Sequence, residues 1–381
     1  MRSRECFCFR LLVCYSSVMN FPTQYLEIIE RIKNINANKY AQSRNHLEGA
    51  VTYLSPYLTR GVITLPQVRD IVLERFSQNE AIKLIQELAW REYFQKVYRE
   101  KSSAIFDDLR FEQPNVKTRG EIPKSIVNAD TGITIIDESI NGLYETGYMH
   151  NHARMWNAAL VTNIALCHFW EPSRWMYYHL LDGDLASNSL SWQWVCATFS
   201  SKQYVAHQEL MNACSPPQQR QQGTFLDIPR DDLLDMELPQ ELEETIIPEL
   251  PVFLPQGDEI FLSEKDLAVF HPWNLDPNYH VGEDLQKVLV IEPSHFKKFP
   301  VSEKVMNFIV RLAQKNIPDI QIYVGEFVDL VHGFDARIYY QYHKNVEHFS
   351  GTKEMQDELF PEVQGYYKNF FSFWKECQKF M

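Results

Sequence analysis

TGYMHNHARMW (Thr146–Trp156) and LLDGDLASNSLSWQW (Leu180–Trp194) bracket the stretch whose reading decides the fold. Thr146-Gly147 reads as a turn. His150 to Trp170 then reads as one helix, because apolar residues recur every three or four positions into the run Ala158–Trp170. Asp182 and Asp184 flank Gly183, so two carboxylates sit at a chain break with little side-chain obstruction. Ala186-Ser187-Asn188 opens a segment carrying Trp192 and Trp194. Asn151, Arg154, Asp182, Asp184 and Asn188 are thus set among aromatic residues. A buried polar group left unpaired costs roughly 1–3 kcal/mol. Two arrangements meet that demand. One is a helical core with an internal Arg–Asp pair. The other is a cradle for a large, polar, aromatic ligand, with apolar walls and a few donors and acceptors at the ligand's edge.

Bulk properties bound the alternatives. With 381 residues and 45% hydrophobic content, the chain is long enough for one large domain or two with a real core. Eight Trp and an aromatic content of 13% fit an aromatic-walled cavity. The net charge of −13 does not advertise a nucleic-acid binder, although Leu226–Glu259 carries much of the excess and leaves room for a basic groove elsewhere. Seven Cys without metal or cluster spacing point to no metal site and to a reduced, cytoplasmic setting. No segment is apolar enough to span a membrane. Residues 1–18 read as a disordered tail or a mis-assigned start, and ordinary globular sequence begins at Met19.

Working outward, Tyr25–Ile35, Pro66–Phe76 and Asn79–Arg99 read as helices. Between them, Thr52 and Ser55 place hydroxyls near a Pro-interrupted turn, which serves equally for N-capping or for phosphate. Glu87, Trp90, Arg91 and Phe94 recur at three- and four-residue spacing and share a helix face, which suits either a helix–helix contact or a cavity wall. Phe111–Asn128 is loop-like. Residues 226–284 read as an acidic, Pro-rich linker. Beyond them, Lys287–Phe296, Val301–Lys315 and Ile320–Leu330 read as strand, helix and strand, a β-α-β signature for a small parallel sheet. Phe360–Phe380 closes the chain as an aromatic-rich helix. No Gly-rich dinucleotide loop joins the first strand to its helix.

The central stretch resembles the FAD-binding domain of the DNA photolyase and cryptochrome family. That family's pattern is a TG-W-MHN-R-RM block, then DGD-LASN, then WQW, and this chain has TGYMHNHARM, DGDLASN and WQW in the same order at closely similar spacing. The resemblance covers roughly Tyr25–Asp227. It implies a mainly α architecture: a helical FAD-binding domain over residues 19–225, the linker, and a small α/β module over residues 285–381. It implies FAD contacts from Tyr40, Thr52, Tyr53, Leu54, Ser55, Asn151, Arg154, Asp182, Gly183, Asp184 and Asn188. Arg154 would pair with Asp182 beside the flavin, and Asn188 would face flavin N5. Val51 departs from the family's hydroxyl, and Tyr148 replaces its common Trp.

Substrate roles follow by the same resemblance. Glu87, Trp90, Asn151, Met155 and Trp194 match residues that receive a flipped-out pyrimidine dimer, with Trp90 and Trp194 stacking on it. Members acting on (6-4) products carry His at the positions of Asn151 and Met155, so this chain looks like a member acting on cyclobutane dimers. Trp192 and Trp170 match the first two residues of the electron-relaying Trp chain. Arg44, Glu87, Trp90, Arg91 and Gln222 match DNA-facing positions. Without four clustered Cys, the iron–sulfur branch is disfavoured. The weakest patch is Thr131–Thr146, where Asn141 and Gly142 replace the family's Arg and Gln. The implied activity is that of a carbon–carbon lyase repairing dimers in UV-damaged DNA with blue light. The alternative is a blue-light sensor acting through a protein partner that docks on the C-terminal module. Ordinary members carry an α/β antenna domain ahead of the FAD domain, and the C-terminal module reads as a relocated or shrunken counterpart.

Overall fold

The structure is a computed structural model that describes residues 21–381, so the tail expected over residues 1–18 lies outside the described residues. The first half is helical: α1 (Tyr25–Lys33), α2 (Ala37–Ser43), α3 (Ser55–Thr59), α4 (Leu65–Leu73) and α5 (Gln78–Lys101). There follow β1 (Ile122–Pro123), α6 (Lys124–Asn128), α7 (Thr134–Thr146), α8 (Asn151–Ala159), α9 (Trp170–His179), α10 (Leu185–Val195) and α11 (Gln208–Cys214). The second half holds β2 (Thr245–Ile246), β3 (Leu267–Phe270), β4 (Gln286–Ile291), α12 (Pro293–Lys298), α13 (Glu303–Asn316), β5 (Gln321–Val324), α14 (Phe327–Leu330), β6 (Ile338–Gln341), β7 (Thr352–Glu354) and α15 (Phe370–Cys377).

Local chemistry starts the long helices. A capping box opens α5: Glu80 reaches back to the Ser77 N–H at 2.9 Å while Ser77 caps the first turn. Asp184 caps α10 by accepting the Ser187 N–H at 2.8 Å.

The helix expected from His150 to Trp170 is broken. Helix α8 passes into a π-turn over Leu160–Ile164, Leu166 takes a left-handed φ of 57°, and α9 starts afresh at Trp170. Gln113, buried at 3% exposure, explains the break. Its amide donates to the Cys167 carbonyl at 2.8 Å and accepts the Phe169 N–H at 2.9 Å. Lys117 N–H donates to the Leu166 carbonyl at 2.8 Å. The loop at residues 113–118 therefore takes the backbone groups that a continuing helix would have used.

The acidic stretch is not a free linker. Leu226, Leu233 and Leu242 are each 1% exposed in the core under α6–α10, and β2 pairs antiparallel with β1. Strand β3, which lies inside that stretch, is the middle strand of the sheet. The α/β unit thus begins before the boundary expected at residue 285. Its five strands run parallel in the order β5-β4-β3-β6-β7. The two outer readings also shorten. Strands end at Ile291 and Val324 and hand over to α12 and α14, and the terminal helix begins only at Phe370.

Alternation along the strands places the sheet between two cores. Leu267, Val269, Val288 and Val290 pack with Phe327 and Leu330 on one face. Ala268, Phe270, Leu289 and Ile291 pack against α13 on the other, and that core runs on without interruption into α1–α5. The helices α6–α10 close around a separate core containing Trp156, Trp175 and Trp192. Among the described residues, no helix is long and apolar enough to cross a membrane.

Gly142 lies inside α7, and a Cβ there would meet nothing within 4 Å. Gly142→Ala should therefore stabilise the protein by about 0.5–1 kcal/mol, read as a higher urea midpoint at unchanged slope. His271 is fully buried, with Nε2 on the Gln341 carbonyl at 2.8 Å, and burial lowers it to about 4. Its unfolded value is near 6.5, so the folded chain binds fewer protons between those limits. Stability should be full above about pH 6.5 and fall toward pH 4. Denaturant titrations at pH 7 and pH 5 should show this, and a non-titrating His271→Gln should flatten the slope.

Candidate functional site

The two quoted segments meet at the loop between α9 and α10. Arg154 Nη2 donates to both oxygens of Asp182, at 3.0 and 2.9 Å, and its Nε donates to the Met149 carbonyl at 2.8 Å. The Asp182 side chain is 5% exposed and that of Arg154 is 23% exposed. Around this pair the loop backbone is held from several sides. Leu181 N–H bonds the Gly147 carbonyl at 2.8 Å, and a Cβ on Gly147 would strike Leu181 at 2.6 Å. Thr59 Oγ1 donates to the Asp182 carbonyl at 3.1 Å. Arg60 donates twice to the Leu181 carbonyl, at 3.2 and 3.0 Å. Gly183 is required, because a Cβ there would lie 2.9 Å from the Tyr177 carbonyl and 3.0 Å from that of Leu180.

Asp184 is fixed by both oxygens, one accepting the Ser187 N–H and the other Gln95 Nε2, each at 2.8 Å. Desolvation works to raise its carboxyl, but the Arg91 charge and the Ser187 hydrogen bonds outweigh it and hold the group below its usual range. Desolvation also lowers the buried Arg60 to about 10, opposed by Tyr177, Asp182 and Asp184. Asn188 is half-buried, its Nδ2 donating to the Ser173 carbonyl at 2.9 Å.

The loop entering α3 lies nearby. Leu54 is buried, Tyr53 has a φ of 53°, and Thr52 Oγ1 accepts the Leu54 N–H at 3.4 Å. Ser55 opens α3, and Tyr40 sits on α2. Tyr148 packs against Tyr53 at 5.2 Å and Phe21 at 5.6 Å, with Arg154 5.6 Å from its ring. Tyr53 and the Arg154–Asp182 pair therefore meet through Tyr148.

The expected substrate residues divide. Asn151 is exposed at the start of α8, its Nδ2 3.7 Å from Met155 Sδ, one turn on and beside Arg154. Trp194 is 39% exposed and meets Tyr204 at 5.8 Å. Glu87 forms an ion pair with Arg44 at 3.4 Å. Desolvation raises the Glu87 carboxyl, with Arg44 opposing. Trp90 is stacked on Phe370 of α15, with ring centroids 3.6 Å apart and planes at 11°, and with Phe94 at 5.4 Å. The shared face expected for Glu87, Trp90, Arg91 and Phe94 is thus split. Glu87 and Arg91 meet Arg44 after α2 and Thr59 of α3, whereas Trp90, with Phe94 packed beside it, meets the C-terminal helix. Arg91, expected on a DNA-facing rim, donates to Thr59 Oγ1 at 3.0 Å and lines a cavity of about 70 Å³ with Asp276 and Asp357. Gln222 is exposed in the loop after α11. Trp192 is 2% exposed, and Trp170 packs against Phe106 at 4.9 Å.

Asp107, Asp108 and His168 also cluster, but His168 Nδ1 accepts the Trp170 N–H at 3.4 Å, so the neutral ring carries its proton on Nε2, toward Asp108 at 3.2 Å. That ring nitrogen is a donor, not a ligand.

Sequence reasoning missed Thr59, Arg60 and Gln95, which hold the Asp182–Asp184 loop. The first two lie four and five residues past Ser55, close enough to be candidates. Gln95, one turn beyond Arg91, had no comparable signal.

The polar set fits the flavin that the resemblance implies. It offers a guanidinium–carboxylate pair, a second buried carboxylate, the Asn188 amide and the Ser187 hydroxyl, whose oxygen is buried without a partner. Room is tight: the cavity bounded by Tyr53, Tyr148 and His150 measures about 40 Å³, against roughly 300 Å³ for the smallest ligand pockets. A tricyclic ring beside Arg154 would need Tyr53 and Tyr148, which line that cavity, to turn aside.

Residues 84–225 match the family model for the FAD binding domain of DNA photolyase. The chain is 29% identical over 161 residues to deoxyribodipyrimidine photo-lyase of Streptomyces griseus, covering 42% of this chain and 35% of that one. It is 32% identical over 165 residues to the Synechococcus sp. deoxyribodipyrimidine photo-lyase, covering 41% and 34%. Cryptochrome DASH of Ostreococcus tauri is 29% identical over 161 residues, covering 40% and 30%. The chain thus spans about a third of the length of these relatives. A Synechocystis cryptochrome structure superposes with a TM-score of 0.45 at 20% identity, covering 52% of this chain and 44% of that one.

Arg154→Leu should cost about 3 kcal/mol, because it leaves the Asp182 carboxylate buried and unpaired. The double variant Arg154→Leu/Asp182→Asn should recover part of that loss. Urea unfolding of the two variants checks both statements.

Proposed function

Because the chain belongs to the DNA photolyase/cryptochrome family, whose domain here takes FAD as cofactor, we propose that it repairs cyclobutane pyrimidine dimers in DNA under blue light. The observation that carries this reading is on α8. Arg154, paired with Asp182, shares that helix with Asn151, exposed at its start, and with the half-buried Met155 one turn on. A group held at the Arg154–Asp182 pair would lie next to whatever Asn151 and Met155 touch.

Bound and reduced, FAD supplies on absorbing blue light the electron that splits the dimer. The protein's residues do the rest. Extruding the lesion costs a few kcal/mol of unstacking, and less for a damaged base than for an intact one. Trp194, with its exposed ring, stacks on the extruded dimer and returns about 1–3 kcal/mol. The Asn151 amide hydrogen-bonds the dimer's polar edge. Glu87, whose carboxyl is raised by desolvation, binds the same edge with its proton retained to higher pH than an exposed Glu. Arg44 steadies Glu87 and meets the phosphate backbone, with Gln222 as a further backbone contact. Trp192 and Trp170 relay electrons toward the cofactor.

One observation favours the second reading, a blue-light sensor acting through a protein partner. Trp90, assigned to stack on the dimer, already has a ring face on Phe370, and Phe371 lies edge-on at 6.3 Å. In a sensor, that contact ties the C-terminal helix to the cavity wall.

The deciding assay illuminates the FAD-loaded, reduced protein with an oligonucleotide containing one thymine dimer, beside a dark control. Light-dependent restoration of thymine is expected. Trp194→Ala should weaken binding of the dimer oligonucleotide by roughly 5- to 150-fold, the equivalent of losing one stacked base. Protein that holds and photoreduces FAD yet restores no thymine would shift the assignment to the sensor.

A further inference from the structure

We propose that the α/β unit forms part of the cofactor site, with His343 as a positioning residue for the Asp182-Gly183-Asp184 loop. This rests on the FAD reading above.

The strand order β5-β4-β3-β6-β7, all parallel, reverses direction of travel between β3 and β6. In doubly wound sheets, the crevice past the carboxyl ends of two such strands is where functional groups converge. Here Trp273 and Asn274 follow β3, and Gln341 and His343 end and follow β6. This edge is pressed onto the helical unit. Leu275 N–H donates to the Arg60 carbonyl at 2.9 Å, and a Cβ on Gly61 would lie 2.4 Å from the Trp273 carbonyl oxygen. Arg60 is the residue whose guanidinium holds the Leu181 carbonyl. The loop after β3 therefore braces the residue that braces the Asp182–Asp184 loop.

His343 acts from the other side of the same crevice. Its ring lies flat on Trp273, with centroids 5.1 Å apart and planes at 5°. Its Nδ1 accepts the Asn345 N–H at 3.2 Å, so the neutral ring presents Nε2–H as a donor. With Arg91, Gln95 and Gln341, it lines the cavity of about 70 Å³. Gln95 holds Asp184 Oδ1 at 2.8 Å, and Arg91 holds Thr59, which holds the Asp182 carbonyl. Asp184 and His343 also act on each other's charge: desolvation lowers His343, and Asp184 opposes it. His343 thus shares one cavity with Arg91 and Gln95, the two residues through which the Asp182–Asp184 loop is held.

The test compares His343→Gln, which keeps an N–H near the Nε2 position, with His343→Asn, which places its amide near Nδ1, and His343→Phe, which keeps the stack on Trp273 without a donor. Each full-length variant is stripped and titrated with FAD. The midpoint potential of the bound flavin and the thermal midpoint of the protein are also measured. The expected result is FAD affinity within about twofold of wild type for His343→Gln. For His343→Asn and His343→Phe, affinity should fall on the order of tenfold, the scale of one polar interaction. The potential should move in those two variants only. Identical affinity and potential in all variants would overturn the inference. Equal losses in all three that track the thermal midpoint would also overturn it, by showing a packing role. If His343→Phe fails to fold, the Gln–Asn comparison decides alone. Wild-type protein that takes up no FAD would overturn the functional reading itself, and the inference with it.

Discussion

A single ion pair sets the terms for the helical unit. Arg154 and Asp182 are drawn from two chain segments and are largely withheld from water, so each needs the other and each needs its remaining polar groups satisfied. Both conditions are met by backbone geometry. Arg154 spends its Nε on the Met149 carbonyl, and the loop bearing Asp182 gives its carbonyls to Thr59 and Arg60. These bonds tie α3 and α8 to the loop that enters α10 and leave the charges and carbonyls paired. Such networks contribute specificity more than net stability, and specificity is what a site built from distant segments requires.

The α/β unit is held by similar means. Glu92, buried within α5, accepts the N–H groups of Leu359 and Phe360, and Glu358 pairs with Lys96 at 2.7 Å and Arg99 at 2.6 Å. One continuous apolar core runs from α1–α5 through α13 to the sheet. The unit is therefore continuous with the helical unit and not an appendage. Its last helix reaches the wall of the proposed substrate site, where Phe370 lies on Trp90. Any account of light response or repair has to pass through that contact, because a stacked ring pair leaves Trp90 one open face at most.

Much of the site could be read directly from the residues. The chain break at Gly183 follows from local sequence, a Gly between two carboxylates, and the Arg154–Asp182 pair follows from the family resemblance, whereas the cap that Asp184 places on α10 emerged only in the structure. The β-α-β pattern was equally legible, because Val and Ile runs alternate with an amphipathic helix. The strand Leu267–Phe270 was not. Four apolar residues inside an acidic, Pro-rich stretch carry no periodicity, and only pairing with β4 and β6 makes them a strand. The break after Ile164 was hidden for a related reason. The helical pattern continues through Cys167, and the competing hydrogen bonds come from Gln113, more than fifty residues away in sequence.

The amino-acid sequence by itself determined where α1, α4 and α5 begin, to within a residue, the pair of carboxylates around Gly183 and the residue types that suit a flavin. Those depend on interactions within a few residues, or on motifs whose spacing survives without coordinates. The tertiary structure alone decided that Arg91 turns inward, that Trp90 meets Phe370 and that His343 faces the crevice beside Gln95. These are contacts between residues up to 280 positions apart. No local preference encodes them, because they arise only when the shared core closes and the last unpaired polar groups find partners across it.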